Sequence, residues 1–383
     1  MIATFLIAII IAYLILIGSL AFGFDKVDEF QLRDLKSKTK FSIIIPFRNE
    51  AENLSSLLGS IVKLNYPKDL FEVLLVDDES EDNSIVVINK TLDAKSNKTT
   101  FARTDNIKII QNKRISNSPK KDAITSAIHI ASNEWIITTD ADCVLPKYWL
   151  DVYDEFIQTK QPNCIVAPVT YYGKTSFFNR FQTLDFLSLQ GAAIGGFGLN
   201  LPFLCNGANF AYRKSVFTKE NGFDDNSDIA SGDDIFLLEK FKKINAKKVN
   251  YLKNQKAIVH TTPVLTLSQL VQQRLRWASK TSRNPNWFSK LVGLVVLLAN
   301  LICIAILPLL VFDFISNRIA IALLVIKFAI DFLLLFKTTR FFKQETLLLS
   351  YVFSCFLYPF FSVYIVLISV FKSYEWKGRT FKK

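Results

Sequence analysis

Four long apolar runs constrain the fold of this chain more than any other feature of its sequence. They are Ile2–Phe24, Leu291–Phe312, Ile319–Phe336 and Leu347–Phe371. A helix rises about 1.5 Å per residue, so about 20 apolar residues match the ~30 Å hydrocarbon core of a bilayer. The sequence therefore predicts membrane-embedded helices at both ends, one N-terminal and about three C-terminal, with a water-soluble domain between them.

The first apolar run has two interpretations. Ala21-Phe22-Gly23 has the small-x-small form of a signal-peptide cleavage site. However, the run begins without a basic segment and is longer than the ~7–15 apolar residues of a usual signal peptide. We therefore interpret it as a transmembrane anchor.

Basic residues flank the apolar runs on the side of the middle domain. They are Lys26, Arg33, Lys36, Lys38, Lys40, Lys280, Arg283, Lys290, Lys337, Arg340 and Lys343. Because Lys and Arg favour the cytoplasmic side, this pattern predicts a multi-pass protein of the cell (inner) membrane with a cytoplasmic middle domain.

The charge of the tail disagrees with a count of four crossings, which would place the tail outside. The tail carries Lys372, Lys377, Arg379, Lys382 and Lys383. Either one run is an interfacial or re-entrant helix, with Tyr358-Pro359 as a candidate break in the last run, or the basic tail is external.

The net charge of +12 comes from 46 Lys and Arg residues against 34 Asp and Glu residues. Juxtamembrane basic residues explain it, since each gains roughly 1 kcal/mol at anionic headgroups. Membrane lipids are therefore expected partners, and no nucleic acid is required. Five scattered cysteines without a CxxC pair argue against a zinc site or a disulfide framework and favour a reducing compartment.

The middle domain alternates between predicted strands and helices. The strands are Phe41–Pro46, Phe71–Val76, Lys108–Ile110 and Trp135–Thr139, and the helices are Glu52–Leu64 and Asp122–Ser132. This alternation predicts an α/β fold, a Rossmann-like and mostly parallel sheet with helices on both faces. The expected segments are an anchor 1–24, a basic linker 25–40, the soluble domain 41–262, interfacial helices 263–290, membrane helices 291–371 and a basic tail 372–383.

Two of the predicted strands end in acidic residues. Asp77-Asp78 follows Val76, and Asp140-Ala141-Asp142 follows Thr139. Ligands of open α/β sheets bind beyond the carboxyl ends of the strands. An Asp-x-Asp pair there can hold Mg²⁺ or Mn²⁺ and leave coordination positions for substrate phosphates. A solvated turn is the alternative, and it is the commoner one for an isolated pair.

Two later motifs also have structural alternatives. Gly232-Asp233-Asp234 opens a predicted amphipathic helix, where Asp also serves as a cap. The segment Gln273-Arg274-Leu275-Arg276-Trp277 precedes the second apolar run, where Arg and Trp at the headgroup level would suit an interfacial helix.

Three isolated polar residues have both functional and structural interpretations. His260 is a possible third metal ligand, although a lone His after two apolar residues is more often structural. Lys327 and Asp331 lie four residues apart in the third run, so they share a helix face, and pairing would lower the cost of burying either charge. A structural pair is favoured over a contact with an acceptor.

Taken in order, the polar motifs resemble those of the family 2 glycosyltransferases. The similarity is to the membrane-embedded branch that includes hyaluronan, chitin and cellulose synthases and ceramide glucosyltransferase. The motifs are Ile45-Pro46-Phe47-Arg48-Asn49-Glu50, Val76-Asp77-Asp78-Glu79-Ser80-Glu81-Asp82, Lys121, Asp140-Ala141-Asp142, Asn206-Gly207-Ala208-Asn209, Gly232-Asp233-Asp234 and Gln273-Arg274-Leu275-Arg276-Trp277. They cover about residues 41 to 280, and the resemblance implies a GT-A fold.

Two details qualify this resemblance. Gly232-Asp233-Asp234 departs from the Thr-Glu-Asp of cellulose synthases and is closer to the hyaluronan synthase form, which argues against a glucan product. Trp376-Lys377-Gly378-Arg379 resembles a tail motif of some members, over four residues only.

For the nucleotide sugar, the resemblance implies a donor site that contains Pro46, Arg48, Glu50, Asp77, Asp78 and Lys121. Glu50, Asp77 and Asp78 would hold the uridine ring and ribose. Lys121 would approach the phosphate or the ribose.

For the metal and the chemistry, the resemblance implies further roles. Asp140 would bind the sugar and Asp142 the metal on the diphosphate, and both are candidate ligands of Mg²⁺ or Mn²⁺. Asp234, beside Asp233, would be the general base on the acceptor hydroxyl. The other residues would line the sugar and acceptor pocket, close over the diphosphate or stack against the acceptor: Asn206, Gly207, Asn209, Gln273, Arg276 and Trp277.

These implications describe an inverting, metal-dependent glycosyltransferase. It would move a sugar from a nucleotide sugar, with a UDP-sugar as the favoured donor, to a membrane-associated lipid or lipid-linked glycan. A single base without an enzyme nucleophile implies direct displacement. A processive polysaccharide synthase is the alternative, disfavoured because only three runs follow the soluble domain. A non-catalytic membrane scaffold or nucleotide-sugar-binding subunit is the second alternative. It would be favoured if another residue stood at the position of Asp142, Asp234 or Arg276, but all three are present.

Overall fold

The computed structural model describes residues 1–96, 106–173, 176–227, 229 and 231–381. The strands in this part of the chain are β1 Phe41–Phe47, β2 Phe71–Asp77, β3 Ile107–Gln111, β4 Trp135–Thr138, β5 Cys164–Val166, β6 Val169–Tyr171, β7 Phe210–Arg213, β8 Val249–Tyr251, β9 Val259–Thr261, β10 Tyr374–Trp376 and β11 Arg379–Phe381. The helices are α1 Ile2–Lys26, α2 Ala51–Val62, α3 Ser84–Ser96, α4 Pro119–Ile130, α5 Trp149–Lys160, α6 Phe177–Gly198, α7 Lys214–Lys219, α8 Asp233–Asn245, α9 Leu267–Arg283, α10 Trp287–Val311, α11 Asn317–Phe341 and α12 Tyr351–Phe371. Lys382 and Lys383 of the expected basic tail lie outside the described residues.

Seven strands form one sheet in the order β3-β2-β1-β4-β7-β5-β8. Strands β3, β2, β1 and β4 are parallel to their neighbours, as are β5 and β8, whereas β7 runs antiparallel to both β4 and β5. The predicted α/β class with a mostly parallel sheet is confirmed. Strands β1 to β4 begin and end within one or two residues of their predicted limits.

Both faces of the sheet are buried because successive side chains of a strand point to opposite sides. Ile43 and Ile45 belong to the hydrophobic core shared with α2 and α5, whereas Ile44 belongs to the core shared with α4 and α8. The second core also contains Phe24 of α1 and Phe341 of α11. The second core therefore continues from the sheet to apolar helices of the predicted membrane region.

Helix α6, which the sequence pattern did not predict, connects the soluble domain to α1. A Cβ atom on Gly195 would lie 2.3 Å from the carbonyl oxygen of Leu20, and one on Gly23 would lie 2.3 Å from the carbonyl oxygen of Gly195. Only glycine permits this approach of the two backbones, as at helix crossings in membranes. Helix α6 is thus fixed against the first apolar helix.

Among the described residues, four helical segments are long and apolar enough to cross a membrane by length and composition. They are α1, α10, α11 and Glu345–Phe371, which contains α12. Pro359 lies inside α12 without ending it, so the predicted break at Tyr358-Pro359 is wrong. A proline removes one N–H from the helix, and helices that pack together in a membrane tolerate that loss.

The segments before and after α12 both contact the soluble domain. Before the helix, the side-chain amide of Gln344 donates to the carbonyl oxygen of Tyr171 at 3.0 Å. After it, the N–H of Glu375 donates to Gln272 of α9 at 3.0 Å, and the following hairpin of β10 and β11 extends to the end of β1. The described part of the tail and the soluble domain therefore lie on the same side of the apolar helices.

Candidate functional site

The carboxyl ends of β1, β2 and β4 meet at one rim of the sheet because the three strands are parallel neighbours. Glu50 follows β1, Asp78 follows β2, and Asp140 and Asp142 follow β4. Pro46 lies within β1, opposite Val76 of β2. The structure thus brings together the acidic residues that the sequence pattern assigned to one site.

The loops after β1 and β2 hold each other in place. Arg48 donates from Nη1 to the carbonyl oxygen of Asp78 at 2.9 Å, and from Nη2 to Glu81 at 2.7 Å. The backbone N–H of Asn49 donates to Ser80 Oγ at 3.1 Å. Asn49 and Glu79 have φ angles of 52° and 60°, a left-handed conformation that persists where surrounding contacts fix it. Arg48 therefore shapes the rim through backbone and side-chain contacts.

Asp78 is the most heavily contacted carboxylate of the rim. It accepts from Asn112 at 2.6 Å, from Arg114 Nε at 2.9 Å and from Arg379 Nη1 at 2.6 Å. Charge-assisted bonds of this kind are short and strong. Sequence reasoning missed Arg114 and assigned no role to Arg379, because both come from distant segments. Asp77 has a different position: it accepts from the N–H of Ser80 at 3.0 Å and so holds the turn after β2.

Glu50 is buried at the start of α2. Its carboxylate accepts from Asn53 at 2.6 Å and forms an ion pair with Lys377 at 2.6 Å. The tail hairpin thus contacts both Glu50 and, through Arg379, Asp78. Its tight turn uses two left-handed residues, Lys377 and Gly378 with φ angles of 50° and 74°.

Asp140 and Asp142 are the residues that could hold a divalent cation. Asp142 accepts a hydrogen bond from Thr261 at 3.1 Å. Burial, together with the negative charges of Asp140 and Glu50, raises the pKa of Asp142 to about 6. A dication relieves such repulsion between carboxylates, so the donor set fits Mg²⁺ or Mn²⁺, which take carboxylate oxygens and substrate phosphates.

Protein ligands beyond this pair are not evident. In the described ranges, no group of three or more His, Cys, Asp or Glu side chains is arranged to hold a metal ion. His260 pairs with Val144 through backbone hydrogen bonds, packs edge-on against Tyr172, and has a pKa lowered by burial. These contacts match its structural interpretation.

Adjacent lysines on α4 have separate positions. Lys120 Nζ lies 2.7 Å from Asp140 and 3.2 Å from Asp233, so one ammonium group contacts both acidic segments. Burial alone would lower the pKa of Lys120, but Asp140 and Asp233 raise it above its usual value. Lys121 is buried and donates to both oxygens of Asn226 and to the carbonyl oxygen of Ile229. The structure therefore places Lys120, rather than the expected Lys121, at the acidic rim.

Asp234 stands at the start of α8 with its carboxylate fixed on both oxygens. The N–H of Gly207 donates to Oδ2 at 3.2 Å, and Lys280 of α9 lies 3.2 Å from Oδ1. Gly232 before it has a φ of 85°, and a Cβ there would lie 2.7 Å from the Phe236 ring, so glycine is required.

The pKa of the neighbouring Asp233 is also shifted. Burial raises this pKa, but the ammonium groups of Lys120 and Lys280 outweigh burial and hold the pKa below its usual value.

The two asparagines of the Asn206–Asn209 segment differ in their surroundings. Asn206 is half-buried and caps the short turn by accepting from the N–H of Ala208 at 2.9 Å. Asn209 is fully buried and is engaged by Trp149, Tyr153 and two backbone carbonyl groups. Its amide therefore supports the core behind the site, and Gly207 is the member of this segment that touches Asp234.

The Gln273–Trp277 segment lies on α9, between the soluble domain and α10. Arg274 pairs with Asp185 of α6 at 2.6 Å and lies over the Trp277 ring at 4.2 Å. Gln273 accepts from the hydroxyl of Tyr171 at 3.3 Å. Arg276 is half-buried, and its carbonyl oxygen accepts from Ser279. Arg274, to which sequence reasoning gave no separate role, thus ties this helix to α6.

Comparisons with known proteins agree with this architecture. Residues 42–220 match the model of glycosyl transferase family 2, and residues 135–364, more than half of the chain, match that of glycosyl transferase family group 2. The poly-beta-1,6-N-acetyl-D-glucosamine synthase of Staphylococcus epidermidis is 24% identical over 272 residues, which are 69% of this chain and 61% of that protein. The probable glycosyltransferase YdaM of Bacillus subtilis is 28% identical over 202 residues, 50% of this chain and 44% of that protein. The chain therefore spans less than two thirds of the length of these relatives.

A solved structure shares the fold. The mannosyltransferase PcManGT from Pyrobaculum calidifontis, solved in complex with GDP-Man and Mn²⁺, superimposes with a TM-score of 0.58 at 15% identity, covering 93% of this chain and 99% of that one. The fold is GT-A-like. Because the family model matches more than half of its length, the chain belongs to the family 2 glycosyltransferases.

Proposed function

We propose that this enzyme transfers one sugar from a UDP-sugar to a hydroxyl of a membrane-held lipid or lipid-linked glycan, with inversion and with Mg²⁺ or Mn²⁺ as cofactor. The observation that carries the proposal is the contact of Lys120 with Asp140 and Asp233, which places the start of α8 beside the acidic rim. A donor bound at the rim would then present its anomeric carbon near Asp234. The N-acetylglucosamine in the name of the staphylococcal relative, and the GDP-Man and Mn²⁺ in the mannosyltransferase complex, support a nucleotide sugar as donor and a divalent metal as cofactor.

Asp234 is suited to accept the proton of the acceptor. Its two contacts, with the N–H of Gly207 and with Lys280, fix the direction of the carboxylate. As the acceptor oxygen forms its bond to the anomeric carbon, the bond to the diphosphate breaks and the hydroxyl proton passes to Asp234. Because this route needs no enzyme nucleophile, the configuration inverts in one displacement.

The negative charge of the departing diphosphate needs compensation. A divalent cation held by Asp140 and Asp142 would neutralise part of it. Gln273, Arg276 and Trp277 are proposed to close over the diphosphate and the acceptor from α9. Glu50 and Asp78 are proposed to bind the uridine and ribose. Asp77 and Arg48 stabilise the loops after β1 and β2 through their hydrogen bonds.

A processive polysaccharide synthase is the second candidate, and one observation favours it. The staphylococcal relative carries the name of a polymer synthase. The two candidates use the same donor site and differ in the product.

We place the enzyme in the cell membrane with its catalytic domain in the cytoplasm, as the flanking basic residues favour. The contacts of Gln344 and Glu375, before and after α12, support three crossings, by α1, α10 and α11, with α12 at the interface. A cytoplasmic tail would also agree with the basic residues of the tail, whereas four crossings would place these residues outside the cell.

One experiment tests the proposed reaction. Purified enzyme in lipid nanodiscs is incubated with radiolabelled UDP-sugars and GDP-mannose, with Mn²⁺ or with a chelator, and UDP or GDP release is followed with the products. We expect metal-dependent release from a UDP-sugar and one organic-extractable product of fixed mass. A ladder of water-soluble chains would establish the processive candidate, and release unaffected by the chelator would overturn the metal assignment.

A further inference from the structure

A cavity of about 140 Å³ lies among α1, α6, α10, α11 and α12, outside the acidic site. Its lining is mostly apolar and includes Leu184, Phe203 and Val296. An apolar cavity of roughly 150 Å³ holds a molecule the size of benzene, so this one has room for a segment of a hydrocarbon chain.

The polar groups in its wall are buried or half-buried. Lys327 is 1% exposed and pairs with Asp331 at 2.9 Å, and Asp331 also accepts from the hydroxyl of Tyr13. This confirms the pairing expected for Lys327 and Asp331. Ser354 is 5% exposed, and its Oγ has no hydrogen-bond partner among the described residues. An unpaired buried hydroxyl is costly unless a ligand satisfies it.

The charges in the described wall compensate one another. Asp331 pairs with Lys327, and Asp185 pairs with Arg274 at 2.6 Å. An anionic group placed here would meet no net positive charge. A sugar chain would carry hydroxyls on every ring into an apolar wall. The chemistry therefore favours an uncharged hydrocarbon chain with one oxygen near Ser354.

The cavity adjoins the segment that fixes the proposed base. Leu204 lines it, and Gly207, three residues further on, donates its N–H to Asp234. Asp185 also lines it and is held by Arg274, next to Gln273. Two segments therefore link the wall of the cavity to the residues that hold the proposed base and to the Gln273–Trp277 segment.

We propose that this cavity binds a segment of an acyl chain of an uncharged acceptor lipid with one free hydroxyl, a diacylglycerol, and that Ser354 Oγ donates to an oxygen of its ester linkage. This inference rests on the proposed function and specifies its acceptor. In the reaction, the lipid hydroxyl oxygen forms a bond to the anomeric carbon, the bond from that carbon to the diphosphate breaks, UDP leaves, and the proton goes to Asp234.

The test uses the full-length enzyme in nanodiscs with a diacylglycerol probe that carries a diazirine in one acyl chain. Irradiation should label lining residues of α6, α11 or α12, as located by mass spectrometry. In Ser354→Phe, which fills the cavity, labelling and transfer to diacylglycerol should fall at least ten-fold while UDP binding is unchanged. Ser354→Ala, which keeps the space, should raise KM for diacylglycerol several-fold.

Val352→Phe is the matched control because Val352 lies on the same helix and is 60% exposed. It should leave labelling and transfer unchanged. Labelling outside the cavity, or normal diacylglycerol transfer in Ser354→Phe, would overturn the cavity site alone. Preferential use of a polyprenyl phosphate would overturn the uncharged lipid, whereas wild-type enzyme that releases no UDP with any lipid would overturn the proposed function.

Discussion

Lys377 of the tail hairpin forms an ion pair of 2.6 Å with Glu50 at the start of α2. The positive charge of Lys377 also acts on Asp142, where it opposes the neighbouring carboxylates. The tail therefore supplies positive charge to the place where we expect the donor diphosphate to bind.

Replacing this lysine should weaken donor binding. In Lys377→Ala, Glu50, Asp140 and Asp142 would repel the diphosphate more strongly, and we expect KM for the UDP-sugar to rise by about five-fold, equivalent to roughly 1 kcal/mol. Steady-state kinetics with Lys372→Ala as the control would measure this, since Lys372 is an exposed cation of the same tail. An unchanged KM in Lys377→Ala would refute a donor-side role for the hairpin.

Asp142 and Asp234 should give different phenotypes. Asp142→Asn loses a carboxylate ligand and should weaken metal-dependent UDP binding. Asp234→Asn should bind UDP and Mn²⁺ almost normally but turn over ~10²-fold more slowly, the scale expected for loss of a general base. Calorimetric titration beside a UDP-release assay on both variants measures the two effects. Near-normal turnover of Asp234→Asn would disprove its assignment as the base.

Donor binding should depend on pH through Asp142, whose pKa is raised to about 6. Because a protonated carboxyl is a poor metal ligand, Mn²⁺-dependent UDP binding should weaken as the pH falls through this value. Removal of one repelling charge in Glu50→Gln should move the midpoint to lower pH. Titration calorimetry across pH 5 to 8 would show this, and a midpoint identical in both proteins would contradict the cause assigned to the shift.

The contact between α1 and α6 should be intolerant of a single methyl group. In Gly195→Ala the new Cβ would lie 2.3 Å from the carbonyl oxygen of Leu20, so the helices must separate, at a cost of ~1–3 kcal/mol. Gly293→Ala on α10 is the control. Among the described residues, no atom other than those of its chain neighbours and of the nearby helix backbone lies within 4 Å of the position that a Cβ would take there. A clear fall of the apparent melting temperature in detergent is expected for Gly195→Ala alone.

The side of the tail can be tested by labelling. Single cysteines at Lys90 and Ser373, both exposed, should resist a membrane-impermeant thiol reagent in intact cells. A cysteine at Phe314, exposed in the connection between α10 and α11, should react. The background from the native cysteines is measured in parallel in the unaltered protein. Labelling at Ser373 with protection at Lys90 would show that α12 crosses the membrane.

Local sequence patterns were sufficient to predict the central part of the fold. The apolar strands Phe41–Phe47 and Phe71–Asp77 have side chains buried on both faces, so a continuous apolar run identified them. The acidic residues follow such strands directly, and parallel order then brought them to one rim. This much requires only neighbours in sequence.

Other features depended on the tertiary arrangement. Successive residues of a helix point about 100° apart, so the order of Lys120 and Lys121 along the chain could not show which one contacts Asp140. Arg114 and Arg379 contact Asp78 from separate segments. Helix α6 packs through glycines, which give little apolar periodicity. A signal for the tail hairpin was present in Lys377-Gly378 between two short aromatic segments.

The glycine contact between α6 and α1 also has a consequence for which acceptors can be used. Since α6 carries Asp185, and Asp185 holds Arg274 beside Gln273, the catalytic centre has a fixed height relative to the first apolar helix. For the proposed lipid acceptor, reaction would then require that its hydroxyl rises to that height while its chains remain in the hydrocarbon layer. The depth of the hydroxyl in the membrane would therefore determine which lipids act as acceptors, as strictly as the chemical identity of the lipid does.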